Sequence, residues 1–310
     1  MTHRTFDADE VTRATPWPKL LTALAKAFAA PHVAPDRHIH RIAVPGAEDA
    51  TALIMPAWIE GEHFGVKLAN IFPSNGRLGL PAVSAAYLLC SARTGAIEAL
   101  IDGGMLTARR TAATSALASQ LLSRPDSDTL LMVGAGRMAR LLIEAHRAVR
   151  PISRVLVWSR RAEQAASLAA GAGDAVVSDL ERAVAEADIV STATLSALPL
   201  VRGAALRPGT HLDLVGAFTP RMREVDAEAV ARATVFIDTE GGARAEAGDL
   251  LQAEAEGRFR WDEVAADLAA LVSGRHPGRR FDDEITLFKS VGAAIEDLAA
   301  ARLVAATEGN

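Results

Sequence analysis

The chain has one cysteine, Cys90, so no disulfide framework exists, and its setting in YLLCSA marks it as a small buried hydrophobe. No run approaches the ~18 apolar residues of a membrane span, and the N-terminus lacks a charged-then-apolar secretory pattern. Positive charge is not in excess. The net charge of −5 gives neither nucleic acid nor an anionic membrane a reason to bind. Neither a G-x-S-x-G elbow nor an H-E-x-x-H helix occurs. His38 and His40 share a strand face, but no third ligand stands at metal spacing, so no metal is expected. No fixed-period repeat interrupts the alanine-rich composition. What remains is the profile of a cytoplasmic globular protein: half the residues are apolar and 23% are charged, and 310 residues suffice for two cores.

The most informative segment is LLMVGAGRMA, residues 130–139. Leu130 to Val133 read as a short buried strand. Gly134 permits a tight turn, Gly136 lets backbone approach a pyrophosphate, and Ala139 lets the following helix pack closely. Met138, Leu141, Leu142 and Ala145 then recur at helical spacing. The N-terminus of that helix, with Arg137 and Met138 in its first turn, presents N–H groups and a positive dipole end to phosphate. A dinucleotide site is the reading.

RVLVW (154–158) supplies the second strand, and Ser159, Arg160 and Arg161 follow. About 20 residues beyond the glycines, NAD-specific chains carry an acid for the ribose hydroxyls. Ser159 with two arginines would instead hydrogen-bond and neutralise a 2′-phosphate. The expected cofactor is NADPH, with NADH the alternative.

Around this segment strands and helices alternate: strands 175–177, 188–193, 210–215 and 234–237, helices 137–149, 161–171, 179–186 and 226–231. That rhythm predicts a Rossmann-type doubly wound parallel sheet. Residues 1–110 lack it. A helix over 20–29 precedes candidate strands 37–44, 51–58, 64–71, 81–90 and 96–101, a mostly antiparallel sheet. Thr107 reads as the N-cap of a helix to Leu122, and residues 284–306 as a last long helix. The expected fold is α/β, with an α+β N-terminal substrate and dimerisation domain over 1–122, joined by a returning 287–310, and a dinucleotide-binding domain over 123–286.

Three cations suggest chemistry. Lys67 interrupts the strand-like FGVKLANIF, Arg110 follows Arg109 near the start of the Thr107 helix, and Arg41 lies on a candidate strand. Together they could clamp a carboxylate, the arginines bidentately; singly each reads as a surface charge. Thr192, Ala193 and Thr194 follow one parallel strand, and Val215 and Gly216 end the next. Small residues there either face a nicotinamide or simply allow close packing. Asp213 reads as a paired or exposed acid, and the acidic stretch 245–256 as a solvated face.

The segments LIMPAW (53–58), GVKLANIFPSN (65–75), LTARRTAATSALA (106–118), VGAGRMA, THLDLVGAFTPRMREVD (210–226), EAGDLL (246–251) and TLFKSVGAAIEDLAAA (286–301) together resemble the ornithine cyclodeaminase/mu-crystallin family. The resemblance implies a homodimer built on N-terminal domains and a substrate carboxylate held by Arg41, Lys67 and Arg110. Within the matching segments, Thr111 and Lys289 are further expected cofactor contacts. Cyclodeaminases of this family carry an Asp after the VG strand, and here Phe218 stands at that position. With the Ser159 signal, this favours the branch of ketimine reductases acting on Δ1-pyrroline-2-carboxylate and Δ1-piperideine-2-carboxylate. Lys67 would then polarise or protonate the imine, and Phe218 would line the ring. The alternatives are an ornithine cyclodeaminase, an alanine or N-alkyl-amino-acid dehydrogenase, and a non-catalytic NADPH-dependent ligand binder.

Overall fold

The computed structural model describes residues 3–172 and 175–307. Two compact units make up the chain. One contains the residues up to Thr111 and those from Ala293, the other Ala112–Gly292.

The first unit opens with β1 (Arg4–Phe6), α1 (Ala8–Ala14) and α2 (Trp17–Ala29), followed by β2 (His38–Ile42), β3 (Ala50–Trp58), β4 (His63–Ile71), β5 (Val83–Ser91) and β6 (Ile97–Asp102). They form one six-stranded sheet in the order β1-β6-β5-β4-β3-β2, antiparallel except where β1 joins β6. Side-chain alternation gives it two faces. Met55, Ala57, Ala69, Tyr87, Leu89 and Ile101 are buried on one. The helix Ala294–Ala305 packs there and also touches α2. On the other face Leu68 and Leu100 are exposed.

Helix α3 (Gly103–Leu122) runs from the first unit into the second. It begins one turn before Thr107, because Asp102 Oδ1 accepts the N–H of Met105 at 2.6 Å. Gly103 fits only because it lacks a Cβ, which would lie 2.7 Å from the Ala85 backbone. Arg109 and Arg110 therefore lie in the second turn, beyond the positive end of the helix dipole.

The second unit alternates as expected: β7 (Thr129–Val133), α4 (Arg137–Arg147), β8 (Arg154–Trp158), α5 (Ala162–Ala172), β9 (Ala175–Val176), α6 (Leu180–Glu186), β10 (Ile189–Thr192), β11 (His211–Leu214), α7 (Ala227–Arg232), β12 (Thr234–Ile237), α8 (Glu240–Glu246), α9 (Gly248–Ala255), β13 (Val264–Asp267), α10 (Leu268–Val272) and β14 (Thr286–Lys289). The eight-stranded sheet, ordered β13-β12-β14-β11-β10-β7-β8-β9, is parallel throughout. Its order reverses between β7 and β10, the switch point where ligands of such sheets bind. No helix among the described residues is long and apolar enough to cross a membrane.

One expectation fails here. TLFK (286–289) reads as the start of a long helix, but it is β14, inserted between β11 and β12. All four of its residues are buried, so no alternation betrays a strand. Gly292, at φ +85, ends the extended segment before α11 (Ala294–Ala305). The return to the first unit thus starts at Ala293 rather than 287; residues 1–2 and 308–310 of the expected domain lie outside the described residues.

Beneath this sheet Asp213 is a paired acid, accepting from Ser191 Oγ (2.7 Å) and held by His146 Nε2 (3.2 Å). His211 beside it is fully buried, and burial pushes its pKa down to about 3. The unfolded chain takes up that proton near pH 6.5, whereas the folded chain refuses it until about pH 3. Acidification through this window should therefore destabilise the fold by about 1.4 kcal/mol per pH unit from this residue alone. Urea midpoints at about pH 7 and about pH 4.5 measure the slope. His211→Gln should flatten it, and an unchanged slope would refute the assignment.

Candidate active site

At the switch point the glycine turn has the geometry of a phosphate cradle. Gly134 lies at φ +115 and its N–H donates to Trp158 O at 2.8 Å. A Cβ there would come within 2.8 Å of Ala193 O, so β7 and β10 meet closely only because the residue is glycine. Gly136, the N-cap of α4, is exposed, and a Cβ on it would meet nothing within 4 Å. Backbone N–H groups here open on free space, with exposed Arg137 and half-buried Met138 beside them. A dinucleotide pyrophosphate fits this opening. At the end of β8, Ser159 is half-buried and accepts the N–H of Arg161 at 3.3 Å. Arg160 and Arg161 are exposed at the start of α5.

Thr192, Ala193 and Thr194 are fixed from below by a carboxylate that sequence reasoning passes over. Glu224 Oε2 accepts from Thr192 Oγ1 (2.7 Å), and Oε1 accepts from both the N–H and Oγ1 of Thr194 (2.6 and 2.7 Å). Burial and the adjacent Asp249 charge push Glu224 up to about 7. The Val215–Gly216 turn packs on the same support: a Cβ at Gly216 would meet Thr194 O at 2.3 Å and the Glu224 carboxyl carbon at 2.4 Å.

Two expectations meet buried residues in this unit. Lys289, expected as a cofactor contact, is not at the surface. It is fully buried, bonded to Gly216 O and, at 3.3 Å, Leu214 O, and ion-paired with Asp249 at 3.2 Å. Its ammonium supports the turn from within. Nor is the acidic stretch 245–256 wholly solvated, since Asp249 is fully buried and accepts the N–H groups of Glu224 and Val225. Phe218 is 38% exposed on the loop after β11.

The first unit holds a second cluster. Lys67, central in β4 and 3% exposed, is flanked by Met55 and Tyr87 in register. Its Nζ lies 2.7 Å from Asp297 Oδ2. Arg110 Nε donates to Asp297 Oδ1 at 3.0 Å, and its Nη1 to Glu296 Oε2 at 2.5 Å. Both acids come from the first turn of α11, and both are fully buried. Lys67, Arg110 and two carboxylates thus meet where water is excluded.

The electrostatics differ between the two cations. Burial pushes Lys67 down to about 8, the charges of Arg110 and Arg37 act in the same direction, and Asp297 opposes them. Burial also works against Arg110, but Asp297 and Glu296 outweigh it and raise its pKa. Arg110 is thus a permanent cation, and Lys67 an ammonium able to lose its proton near neutrality. Tyr87 Oη, buried without a hydrogen-bond partner, lies over Gly65, where a Cβ would clash with it at 2.0 Å.

The structure brings together Lys67 and Arg110 but not Arg41. Arg41 is exposed on the edge strand β2, opposite Thr51. His38 pairs with Ile54, so the neighbouring Arg37 falls beside Met55 and hence nearest Lys67. Arg109 turns away, stacking on Trp17 at 3.7 Å and donating to Thr15. Thr111 is half-buried next to Arg110 on α3. Glu296 and Asp297 are legible only as a conflict, two acids opening an alanine-rich helix whose other charge is Arg302 at its far end, and buried acids require cationic partners.

Residues 6–308 match the model of the ornithine cyclodeaminase/mu-crystallin family. A Δ1-pyrroline-2-carboxylate reductase of Paracoccus denitrificans is 42% identical over 280 residues, covering 88% of each chain. The Δ1-pyrroline-2-carboxylate reductase of Thermococcus litoralis, solved in complex with NADH and L-proline, superposes with a TM-score of 0.91 at 32% identity, covering 97% of this chain and 96% of that one. An archaeal alanine dehydrogenase dimer with bound NAD gives a TM-score of 0.90 at 28% identity, over 98% and 95%.

Proposed function

Because the chain belongs to the ornithine cyclodeaminase/mu-crystallin family, we propose that it reduces cyclic imino acids at the expense of NAD(P)H, converting Δ1-pyrroline-2-carboxylate to L-proline and Δ1-piperideine-2-carboxylate to L-pipecolate. The observation that carries this reading is the buried Lys67–Arg110 pair, a permanent cation beside an ammonium that can release its proton.

The reaction adds a hydride to the imine carbon and a proton to its nitrogen. The Gly134–Gly136 turn would hold the pyrophosphate of a reduced nicotinamide coenzyme, which would supply the hydride. Arg110 attracts the substrate carboxylate and fixes the ring face presented. Lys67 donates the proton, and a donor whose pKa lies near the working pH gives it up at low cost. Positive charge beside the imine nitrogen also makes its carbon the better hydride acceptor. Phe218 offers no carboxylate for handling a free amine, which disfavours cyclodeamination of ornithine.

Ser159, Arg160 and Arg161 support NADPH over NADH, since a 2′-phosphate would gain charge-assisted hydrogen bonds there. Leu68 and Leu100, exposed on the uncovered sheet face, support a homodimer formed through the first unit. The lone buried Cys90 suits a cytoplasmic setting.

Absorbance of each coenzyme, followed with the five- and six-membered imine acids, tests the proposal. Equimolar coenzyme oxidation and amino-acid formation is expected, faster with NADPH than with NADH. Silence with both acids, or ammonia release from ornithine without net coenzyme consumption, would sink it.

A further inference from the structure

We propose that the two acids opening α11 have separate duties: Asp297 is the positioning residue that keeps Lys67 in place as an ammonium, and Glu296 holds Arg110. The inference rests on the reductase reading above for its kinetic readout, but the pairing itself follows from geometry.

Asp297 is fully buried, and each of its oxygens meets a different cation, Oδ2 facing Lys67 Nζ at 2.7 Å and Oδ1 facing Arg110 Nε at 3.0 Å. Glu296 reaches Arg110 Nη1, while its other oxygen accepts the N–H of Ala293 and caps its own helix. The charged and titratable groups bearing on Lys67 are Asp297 from α11, Arg110 from α3, Arg37 from the segment before β2 and Tyr87 from β5. Burial and both arginines favour the loss of its proton, and the Asp297 charge opposes them. Without that carboxylate a buried amine between two guanidinium groups would be neutral at physiological pH. A neutral Lys67 could neither protonate an imine nor attract a carboxylate.

The variants Asp297→Asn and Glu296→Gln separate the duties. In Asp297→Asn the alkaline limb of kcat/KM for the imine acid should move to lower pH by about 1–3 units, the effect of removing an opposite charge at this distance. In Glu296→Gln the limb should stay in place while KM for the imine acid rises. A merely structural role would weaken both variants without moving either limb, and that result would overturn the proposal. So would a limb that moves equally in both.

Stability supplies a readout independent of turnover. In a double-mutant cycle, Lys67→Met should offset much of the loss caused by Asp297→Asn, because the two changes together remove an opposite pair. If Asp297→Asn alone fails to fold, recovery of the fold in the double variant supports the pairing. Failure to recover, or simple additivity of the two single losses, refutes it. The cycle reads the pair even if imine acids prove to be the wrong substrates, so the two proposals fail separately.

Discussion

Lys67→Met should reduce imine-acid reduction by about 10²- to 10⁴-fold, the range lost with a general acid. Coenzyme binding should be untouched, because every structural group assigned to the dinucleotide crevice lies elsewhere: the glycine turn, the Thr192–Thr194 segment and its Glu224 support. The fold should also survive. Methionine matches the apolar stem of lysine, and Asp297 keeps its bond to Arg110 at 3.0 Å. The measurements are quenching of protein fluorescence by NADPH, for binding, and initial rates of coenzyme oxidation, for turnover. Near-normal kcat/KM in this variant would remove Lys67 from the mechanism and with it the assignment of the site.

Arg110→Ala should act on stability as strongly as on activity. It takes the guanidinium away from Glu296 and from Asp297, both in fully buried positions. Removing one partner of a buried pair costs about 3–5 kcal/mol, because the remaining charge is stranded without water. Arg140 is the internal control. It pairs with Glu144 at 3.3 Å on the outside of α4, with its side chain 70% exposed. Arg140→Ala should cost no more than about 0.5 kcal/mol. Arg110→Lys should recover only part of the loss, since one ammonium cannot reproduce the fork that reaches two carboxylates. Urea unfolding of the three variants decides, and equal losses for Arg110→Ala and Arg140→Ala would contradict the buried-pair account.

Signals confined to a few neighbouring residues were readable from the chain alone. The VGAGRMA turn works through backbone conformation, so Gly134, Gly136 and Ala139 declare it directly. Lys67 in an apolar run of alternating side chains shows its anomaly in the same way. Contacts set by chain topology were not readable. Asp297 meets Arg110 across 187 positions, and no local pattern encodes such a pairing. Arg37 rather than Arg41 nears Lys67 because the β2–β3 register places it there, and register follows from the whole sheet. TLFK escaped because a strand buried on both faces has no alternation to display. Lys289 and Asp249 illustrate the same limit from the other side: one reads as a cofactor contact and the other as part of a solvated acidic face, and only the three-dimensional sheet shows that they pair inside it.

The late position of α11 has a consequence for synthesis. Arg110 emerges from the ribosome 187 residues before its carboxylate. At ordinary elongation rates that is a delay of roughly 10 to 40 seconds. Throughout it, the basic side chains of the nascent sheet face solvent or a chaperone, with their intended neighbours still untranslated. The same applies to the central gap awaiting β14. A message cut short after codon 285 would yield a polypeptide rich in helices and strands yet lacking the keystone of both halves, an obvious substrate for degradation.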